Sequence, residues 1–158
     1  MRLFLSTLVV ALAATHGLAA EGGTARCARI APTTLAASAN TRELVPPGAT
    51  QVLLCRYHGL NPASTAHRLV RGRLVTNRAE VKRLASELNG LPKTRGRIAC
   101  PMDDGSEIAV EFSYSHSASV TVTVGLTGCR TVSNGRITRS AASGSGSRLV
   151  DQLTTLLR

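Results

Sequence analysis

Four cysteines that follow an N-terminal export signal constrain the fold of this chain more than any other feature. They lie far apart along the sequence, at Cys27, Cys55, Cys100 and Cys129. Residues 1–20 begin with the positive charge of Arg2, continue with an apolar run over 3–14 and end in small residues. This is the layout of a secretory signal peptide, and we expect cleavage near Ala19 or Ala20. Because export places the cysteines in an oxidising compartment, the sequence predicts a secreted protein with two disulfides.

The spacing of the cysteines favours disulfides over a metal or redox site. No pair has the C-x-x-C or C-x-x-H spacing of zinc sites and thioredoxin-like motifs, so we expect neither a metal nor another cofactor. Four cysteines allow three disulfide connectivities. We favour Cys27–Cys55 and Cys100–Cys129, because each bridge joins neighbours along the chain and the first ties the N-terminal arm to the first strand.

The chain divides by composition into three parts. The signal peptide occupies 1–20, an irregular N-terminal arm rich in small residues occupies 21–48, and a single domain occupies 49–158. The apolar run of the signal is shorter than the roughly 20 residues that a bilayer crossing needs, and no later apolar run is longer. We therefore expect no transmembrane segment in the mature chain.

Segments with β-propensity predict an antiparallel sheet of about five strands. They are 50–57, 68–75, 97–100, 108–114 and 120–126. In the last two segments apolar and polar residues alternate, which is the pattern of a sheet with one solvated face. A tight turn is predicted at Asp103, Asp104 and Gly105, and 129–137 is a candidate edge strand with a turn at Asn134.

Apolar periodicity predicts a first helix after residue 77. Asn77 is predicted to cap it, with Glu80 completing a capping box. Gly90, in a left-handed conformation, and Pro92 are predicted to end it. Its apolar stripe consists of Val81, Leu84, Ala85 and Leu88.

A second helix is predicted at the end of the chain. Residues 141–147 have the composition of a flexible linker, and Ser147 is predicted to cap the helix that follows. Its apolar stripe consists of Leu149, Val150, Leu153, Leu156 and Leu157. The predicted fold class is α+β, with both helices packed on one face of the antiparallel sheet.

Basic residues outnumber acidic ones, with 19 Lys and Arg against 9 Asp and Glu and a net charge of +10 at pH 7. One stretch holds the anion-binding candidates Arg68, Arg71, Arg73, Arg78, Lys82 and Arg83. Such a stretch is either a solvated face or a surface that attracts an anionic cell-wall or extracellular polymer. Aromatic residues are scarce and Trp is absent, which disfavours nucleic acid as a partner.

No group of residues in the sequence points to catalysis. The histidines that follow the signal are His58, His67 and His116, and the acidic cluster consists of Asp103, Asp104, Glu107 and Glu111. No G-x-S-x-G motif marks a nucleophile. The acidic residues are predicted to form a turn, since their spacing does not match a calcium-binding loop. We therefore expect no catalytic residues and no enzymatic activity.

Three segments resemble a recurring pattern in exported, uncharacterised actinobacterial proteins. They are CRYHGLN at 55–61, CPMDDG at 100–105 and VGLTGCR at 124–130. The resemblance covers most of the mature chain, and it implies no activity.

The segment Cys100-Pro101-Met102 resembles part of the Streptomyces subtilisin inhibitor family. It follows a predicted helix and precedes strands and Cys129, as in the C-terminal half of that family. There the Cys-Pro-Met segment faces the protease, and the methionine occupies the specificity position. The resemblance implies that Met102 is the primary contact with a secreted protease, braced by a Cys100–Cys129 disulfide.

The sequence as a whole predicts a small secreted, disulfide-stabilised, basic binding or structural module without catalytic activity. The alternative is a secreted serine protease inhibitor that acts through Pro101 and Met102.

Overall fold

Apolar residues at every second strand position build the centre of the protein, a six-stranded antiparallel sheet. The structure, a computed structural model, describes residues 26–32, 42–94, 100 and 102–158. The predicted signal peptide and all of the predicted strand at 97–100 except its last residue lie outside these residues. The strands are β1 (Gln51–Tyr57), β2 (Leu69–Val75), β3 (Glu107–Ser113), β4 (Val120–Gly125), β5 (Thr131–Ser133) and β6 (Thr138–Ser140). Their order across the sheet is β2-β1-β3-β4-β5-β6.

Two helices, α1 (Arg78–Asn89) and α2 (Ser145–Leu156), and two disulfides complete the predicted α+β fold. The sheet has six strands in the described residues, instead of about five: four fall in predicted segments, and β5 and β6 are added after residue 130. β5 ends in the turn predicted at Asn134, whose side-chain oxygen accepts hydrogen bonds from the N–H of Arg136 at 3.1 Å and of Ile137 at 2.9 Å. The chain then returns as β6.

The main core lies on one face of the sheet. The buried strand residues on this face include Val52, Leu54, Ile108, Val110, Phe112, Val122 and Val124. Both helices pack against them, as predicted, through Val81, Leu84, Leu88, Leu149, Val150, Leu153 and Leu157. Full burial of each such side chain contributes on the order of 1.5–3 kcal/mol. Within the described ranges, no helix combines the length and apolar character that a bilayer crossing requires.

Helix α1 begins as predicted and ends differently. The side-chain oxygen of Asn77 accepts a hydrogen bond from the N–H of Glu80 at 3.1 Å, which confirms the cap. Gly90 has a φ of −76°, so the predicted left-handed conformation was wrong. The helix instead ends in a tighter turn, in which the N–H of Leu91 donates to the carbonyl of Leu88 at 3.3 Å. This turn carries Leu91 into the core.

The predicted flexible linker at 141–147 is part of the packed fold. Ala141 is fully buried, and α2 already begins at Ser145. Ser147 does not cap the helix, because it lies in the first turn and accepts a hydrogen bond from Arg130 at 3.1 Å. The linker prediction was wrong because small side chains, which suggest flexibility, also allow two segments to pack closely.

The first described part of the arm covers the opposite face of β1 and β2. Cys27 and Cys55 form the predicted disulfide. Gly72 is the cross-strand partner of Cys55, and a Cβ at this position would overlap the sulfur of Cys27. Glycine is therefore required where the arm crosses the sheet. The hydroxyl of Tyr57 donates to the carbonyl of Ala28 at 3.1 Å, which holds the arm at a second point.

The second described part of the arm, 42–48, enters the main core. Leu44 and Val45 are each 1% exposed. The hydroxyl of Tyr114 donates to the carbonyl of Pro46 at 2.9 Å, and burial raises the pKa of Tyr114 to about 12. The described parts of the arm are irregular, and apolar burial holds them in addition to the Cys27–Cys55 disulfide.

Candidate functional site

Three loops meet at one end of the sheet and form a surface that we call the loop platform, residues 58–67, 102–106 and 126–130. They come together because Tyr57 pairs with Glu107 across β1 and β3, and Glu107 pairs with Gly125 across β3 and β4. These three strand ends therefore lie side by side. The β3–β4 loop lies at the opposite end of the sheet.

Asp104 joins the three loops of the platform. Its carboxylate accepts a hydrogen bond from the hydroxyl of Thr127 at 2.6 Å and from the N–H of Ser106 at 2.8 Å. Its carbonyl accepts from the N–H of Leu60 at 2.7 Å. The side-chain hydrogen bonds, led by that from Thr127, lower the pKa of Asp104 to about 2.

The predicted Cys100–Cys129 disulfide also joins two platform loops, with 5.3 Å between the two Cα atoms. Gly128 has a φ of 58°, and a Cβ there would lie 2.9 Å from the nitrogen of Asp103. Only glycine fits such a left-handed position at this close approach. Asp103 accepts a hydrogen bond from the N–H of Gly105 at 2.9 Å, so it forms a turn as predicted.

Met102 is the most exposed large apolar residue on the platform, with 79% of its surface accessible. It follows Cys100, whose carbonyl accepts a hydrogen bond from the N–H of Asp103 at 3.2 Å. This bond closes a turn that contains Met102. Pro101, the other residue of the candidate inhibitory loop, lies outside the described residues.

The basic stretch from Arg68 to Arg83 does not form one surface. Arg71 and Arg73 lie at the C-terminal end of α2, where Arg71 donates to the main-chain oxygen of Arg158 and Arg73 to that of Leu156, the latter at 2.8 Å. Cations at this end of a helix offset its unpaired carbonyls. These two arginines therefore have a structural role.

Of the other candidates, Arg78, Lys82 and Arg83 lie on α1, and Arg68 lies immediately before β2. Arg83 pairs with Glu87 at 2.9 Å and with Glu80 at 3.6 Å. Three exposed side chains have no hydrogen bond or ion pair in the described part of the chain, and they are Arg68, Arg78 and Lys82. Arg78 and Lys82 line a groove of about 400 Å³ between α1 and the arm.

The histidines and the acidic cluster are brought together only in part, since two of the histidines share the loop platform with Asp103 and Asp104. His58 and His67 lie on the platform, whereas exposed His116 lies in the β3–β4 loop at the far end. Glu107 and Glu111 lie on the face of β3 opposite the main core, and partial burial raises the pKa of Glu107. Over the ranges described, no three His, Cys, Asp or Glu side chains form a candidate metal-binding group.

A cleft of about 470 Å³, which we call the platform cleft, opens between the loop platform and α2. Its charged residues are Arg56, Asp104, Arg130 and Asp151. Its other polar residues include His58, Asn61, Thr127 and Thr154. Two arginines fix α2 above it, because Arg130 donates to Ser147 at one end of the helix and Arg73 to Leu156 at the other.

The platform cleft was not predicted from the sequence, although one signal was present. Val52, Leu54 and Arg56 occupy alternate positions of β1, so all three belong to the core face of the strand. A charged residue at a core position indicates a special environment. Arg130 and Asp151 carry no such signal, since only the packing of α2 brings them to the cleft.

The chain matches no protein-family model, no curated protein and no solved structure. Both resemblances drawn from the sequence therefore stay predictions.

Proposed function

We propose that this protein is a secreted, noncatalytic binding module whose recognition surface is the loop platform. The observation that carries this proposal is the position of Asp104, which hydrogen-bonds both neighbouring loops through Leu60 and Thr127. Loops that are fixed before binding lose little conformational entropy when a partner binds. Binding residues often lie on loops that a rigid scaffold positions.

The covalent framework supports the secreted part of the proposal. The Cys27–Cys55 and Cys100–Cys129 bridges persist in oxidising compartments and are rare in reducing ones. The second bridge ends at Cys129, within the platform. A disulfide at this place stabilises the recognition surface as well as the fold.

Capture by immobilised protein tests the proposal. The mature, oxidised protein is incubated with culture medium and with a cell-wall extract, and bound molecules are identified after elution. The Thr127→Val variant keeps the shape of the side chain and removes the hydroxyl that holds Asp104. The matched control is His116→Ala at the opposite end of the sheet. We expect wild type and control to capture the same partner, and Thr127→Val to lose most of it.

Two results would contradict this proposal. One is equal capture by the Thr127→Val variant, which would place recognition elsewhere on the surface. The other is chemical conversion of the captured molecule, detected as a change in its mass, because a binding module returns its ligand unchanged.

The exposure of Met102 favours a second candidate function, inhibition of a secreted serine protease. Its side chain projects from a loop that the Cys100–Cys129 disulfide braces. An inhibitor of this kind presents an exposed side chain to the specificity pocket of the protease. The hydrogen bond from Asp103 to Cys100 would have to open for the segment to bind in an extended form.

Inhibition assays with a subtilisin-like protease test this second function. We expect micromolar inhibition that Met102→Asp abolishes and that the matched variant Met102→Leu retains. Absence of inhibition by the wild-type protein at micromolar concentration would exclude it.

A further inference from the structure

The platform cleft presents charges of both signs to one small volume. Its two guanidinium groups come from β1 and from the end of the β4–β5 connection, and its two carboxylates come from the platform and from α2. Its volume of about 470 Å³ is within the range of about 300–1,000 Å³ that small-molecule sites occupy. The cleft can therefore enclose a small polar molecule.

Among the charged groups of the cleft, Arg56 is a cation that is available to pair with a ligand. It is partly buried on the core face of β1, and its guanidinium has no hydrogen-bond or ion-pair partner within the described residues. Its nitrogen atoms remain accessible from the cleft, so a bound acceptor can pair with this charge. A carboxylate matches the planar fork of a guanidinium with two parallel hydrogen bonds.

Arg130 is the second cation of the cleft, and it can contact the same carboxylate as Arg56. Its backbone φ of 45° is a left-handed conformation that residues other than glycine seldom adopt. Such strain is often found at binding sites. One of its guanidinium nitrogens donates to Ser147 at 3.1 Å, which orients the side chain and leaves its other N–H groups available.

The two carboxylates of the cleft differ in what they already bind. Asp104 is ionised at neutral pH, and one of its oxygens accepts from Thr127 and Ser106. Asp151 is exposed on α2, and its carboxylate has no partner in the described ranges. Asp151 is therefore the free acceptor at the rim of the cleft.

A zwitterion can place each of its charges beside a residue of opposite sign, whereas a ligand with one charge can pair with only one of the two kinds of charged residue in the cleft. We propose that the platform cleft binds a small zwitterion, with its carboxylate on Arg56 and its ammonium group on Asp151. Two sources have this chemistry, a free amino acid and the two termini of a short peptide. The hydroxyls of Thr127 and Thr154 also line the cleft, but they already donate to Asp104 and to the carbonyl of Val150, so toward a ligand they act only as acceptors. This inference rests on the proposed binding function and names a ligand class for it.

Calorimetric titration of the oxidised protein tests the inference at low ionic strength. The probes are alanine, alanyl-alanine, N-acetylalanine, which lacks the ammonium group, and alaninamide, which lacks the carboxylate. We expect saturable millimolar or tighter binding of alanine or alanyl-alanine, and the tighter of the two identifies the source. Each single-charge analogue should bind at least about tenfold more weakly, which corresponds to about 1.4 kcal/mol.

Two variants and a control test which residues bind the two charged groups of the ligand. Arg56→Gln should weaken binding of the zwitterion about tenfold or more, and so should Asp151→Asn, whose exposed position leaves folding intact. Arg139→Gln on β6, away from the cleft, should bind like wild type. If Arg56→Gln does not fold, Asp151→Asn decides the outcome.

Three results would overturn the inference: no saturable binding of either zwitterion, equal binding of N-acetylalanine, or unchanged binding by Asp151→Asn. Capture of a partner through the platform, lost in Thr127→Val, would still support the proposed function in each of these cases. Failure of the inference is therefore distinguishable from failure of the proposed function.

Discussion

The side-chain amide of Asn89 hydrogen-bonds both main-chain polar groups of Val45. Its oxygen accepts from the N–H of Val45 at 3.0 Å, and its nitrogen donates to the carbonyl at 2.8 Å. Asn134, which is fully buried, donates in the same way to the carbonyl of Leu44 at 3.1 Å. Two asparagines from α1 and from the β5–β6 turn thus replace a strand partner for the irregular arm, whose buried backbone must find hydrogen bonds.

Substitution of Asn89 should destabilise the protein although the residue lies at the end of a helix. Asn89→Ala leaves the N–H and carbonyl of Val45 without partners, and we expect the free energy of unfolding to fall by about 1–3 kcal/mol. Chemical denaturation measures the change. Asn61→Ala, an exposed loop asparagine, serves as the control and should shift the free energy by less than about 0.5 kcal/mol. Equal effects of the two substitutions would show that the pairing with Val45 contributes nothing.

Gly72 and the Cys27–Cys55 disulfide should be energetically coupled. Gly72→Ala forces a Cβ into the sulfur of Cys27, and we expect a loss of about 1–3 kcal/mol from this overpacking. The disulfide closes a loop with a sequence separation of 28, and its removal in Cys27→Ala/Cys55→Ala should cost about 3–4 kcal/mol.

Combining the substitutions at these three positions separates the two effects. In the disulfide-free protein the arm can move, so Gly72→Ala should cost less than it does in the oxidised protein. Denaturation of the four proteins gives the coupling free energy. Strict additivity would mean that the arm does not lie over Gly72.

Local patterns predicted the parts of the fold whose stabilising contacts repeat along the chain. Alternation at Val120, Val122 and Val124 predicted β4, and the cap at Asn77 predicted the start of α1. Both patterns involve residues only two or three positions apart, so they are visible in a short window.

The parts that the sequence did not predict depend on contacts between distant segments. Ala141 is fully buried because α2 turns back against the sheet, although the composition around it suggests a flexible linker. The arm at Leu44 is held in the core by Asn134, which lies far along the chain and donates a hydrogen bond to the Leu44 carbonyl. The platform cleft also depends on distant segments. The charge of Arg56 at a core position of β1 could be noticed in the sequence, but nothing there indicated that Arg130 and Asp151 lie beside the same cleft.

The free energy of unfolding should fall at acidic pH, because Asp104 becomes protonated there. Its pKa falls from 3.8 to about 2 on folding, so the carboxylate stabilises the fold above about pH 4, and this contribution is lost as the pH falls to about 2. Thr127→Val removes the main cause of the shift. The difference in unfolding free energy between wild type and Thr127→Val should therefore shrink between about pH 4 and pH 2. A difference that stays constant over this range would contradict the hydrogen bond as the cause.

Arg73 should contribute to stability and not to polymer binding. Its hydrogen bond to Leu156 holds the C-terminal end of α2, and Arg73→Gln should lower the free energy of unfolding by about 1 kcal/mol. Arg78→Gln, on an exposed side chain without a described partner, is the control and should leave stability nearly unchanged. Thermal unfolding of the two variants measures the difference. A larger loss in Arg78→Gln would reverse the assignment of these two arginines.

Adsorption to an anionic polymer, if it occurs, should depend on the three cations that the fold leaves exposed. Arg68, Arg78 and Lys82 have no ion-pair partner in the described part of the chain, and a polyanion that contacts them releases its counterions. Elution from immobilised heparin should therefore shift to lower salt when all three are replaced by glutamine. The matched control is Arg83→Gln with Arg136→Gln and Arg139→Gln, which removes the same charge from other positions. Equal shifts in both triple variants would mean that only the net charge matters, and no salt-dependent retention of the wild-type protein would exclude the polymer as a partner.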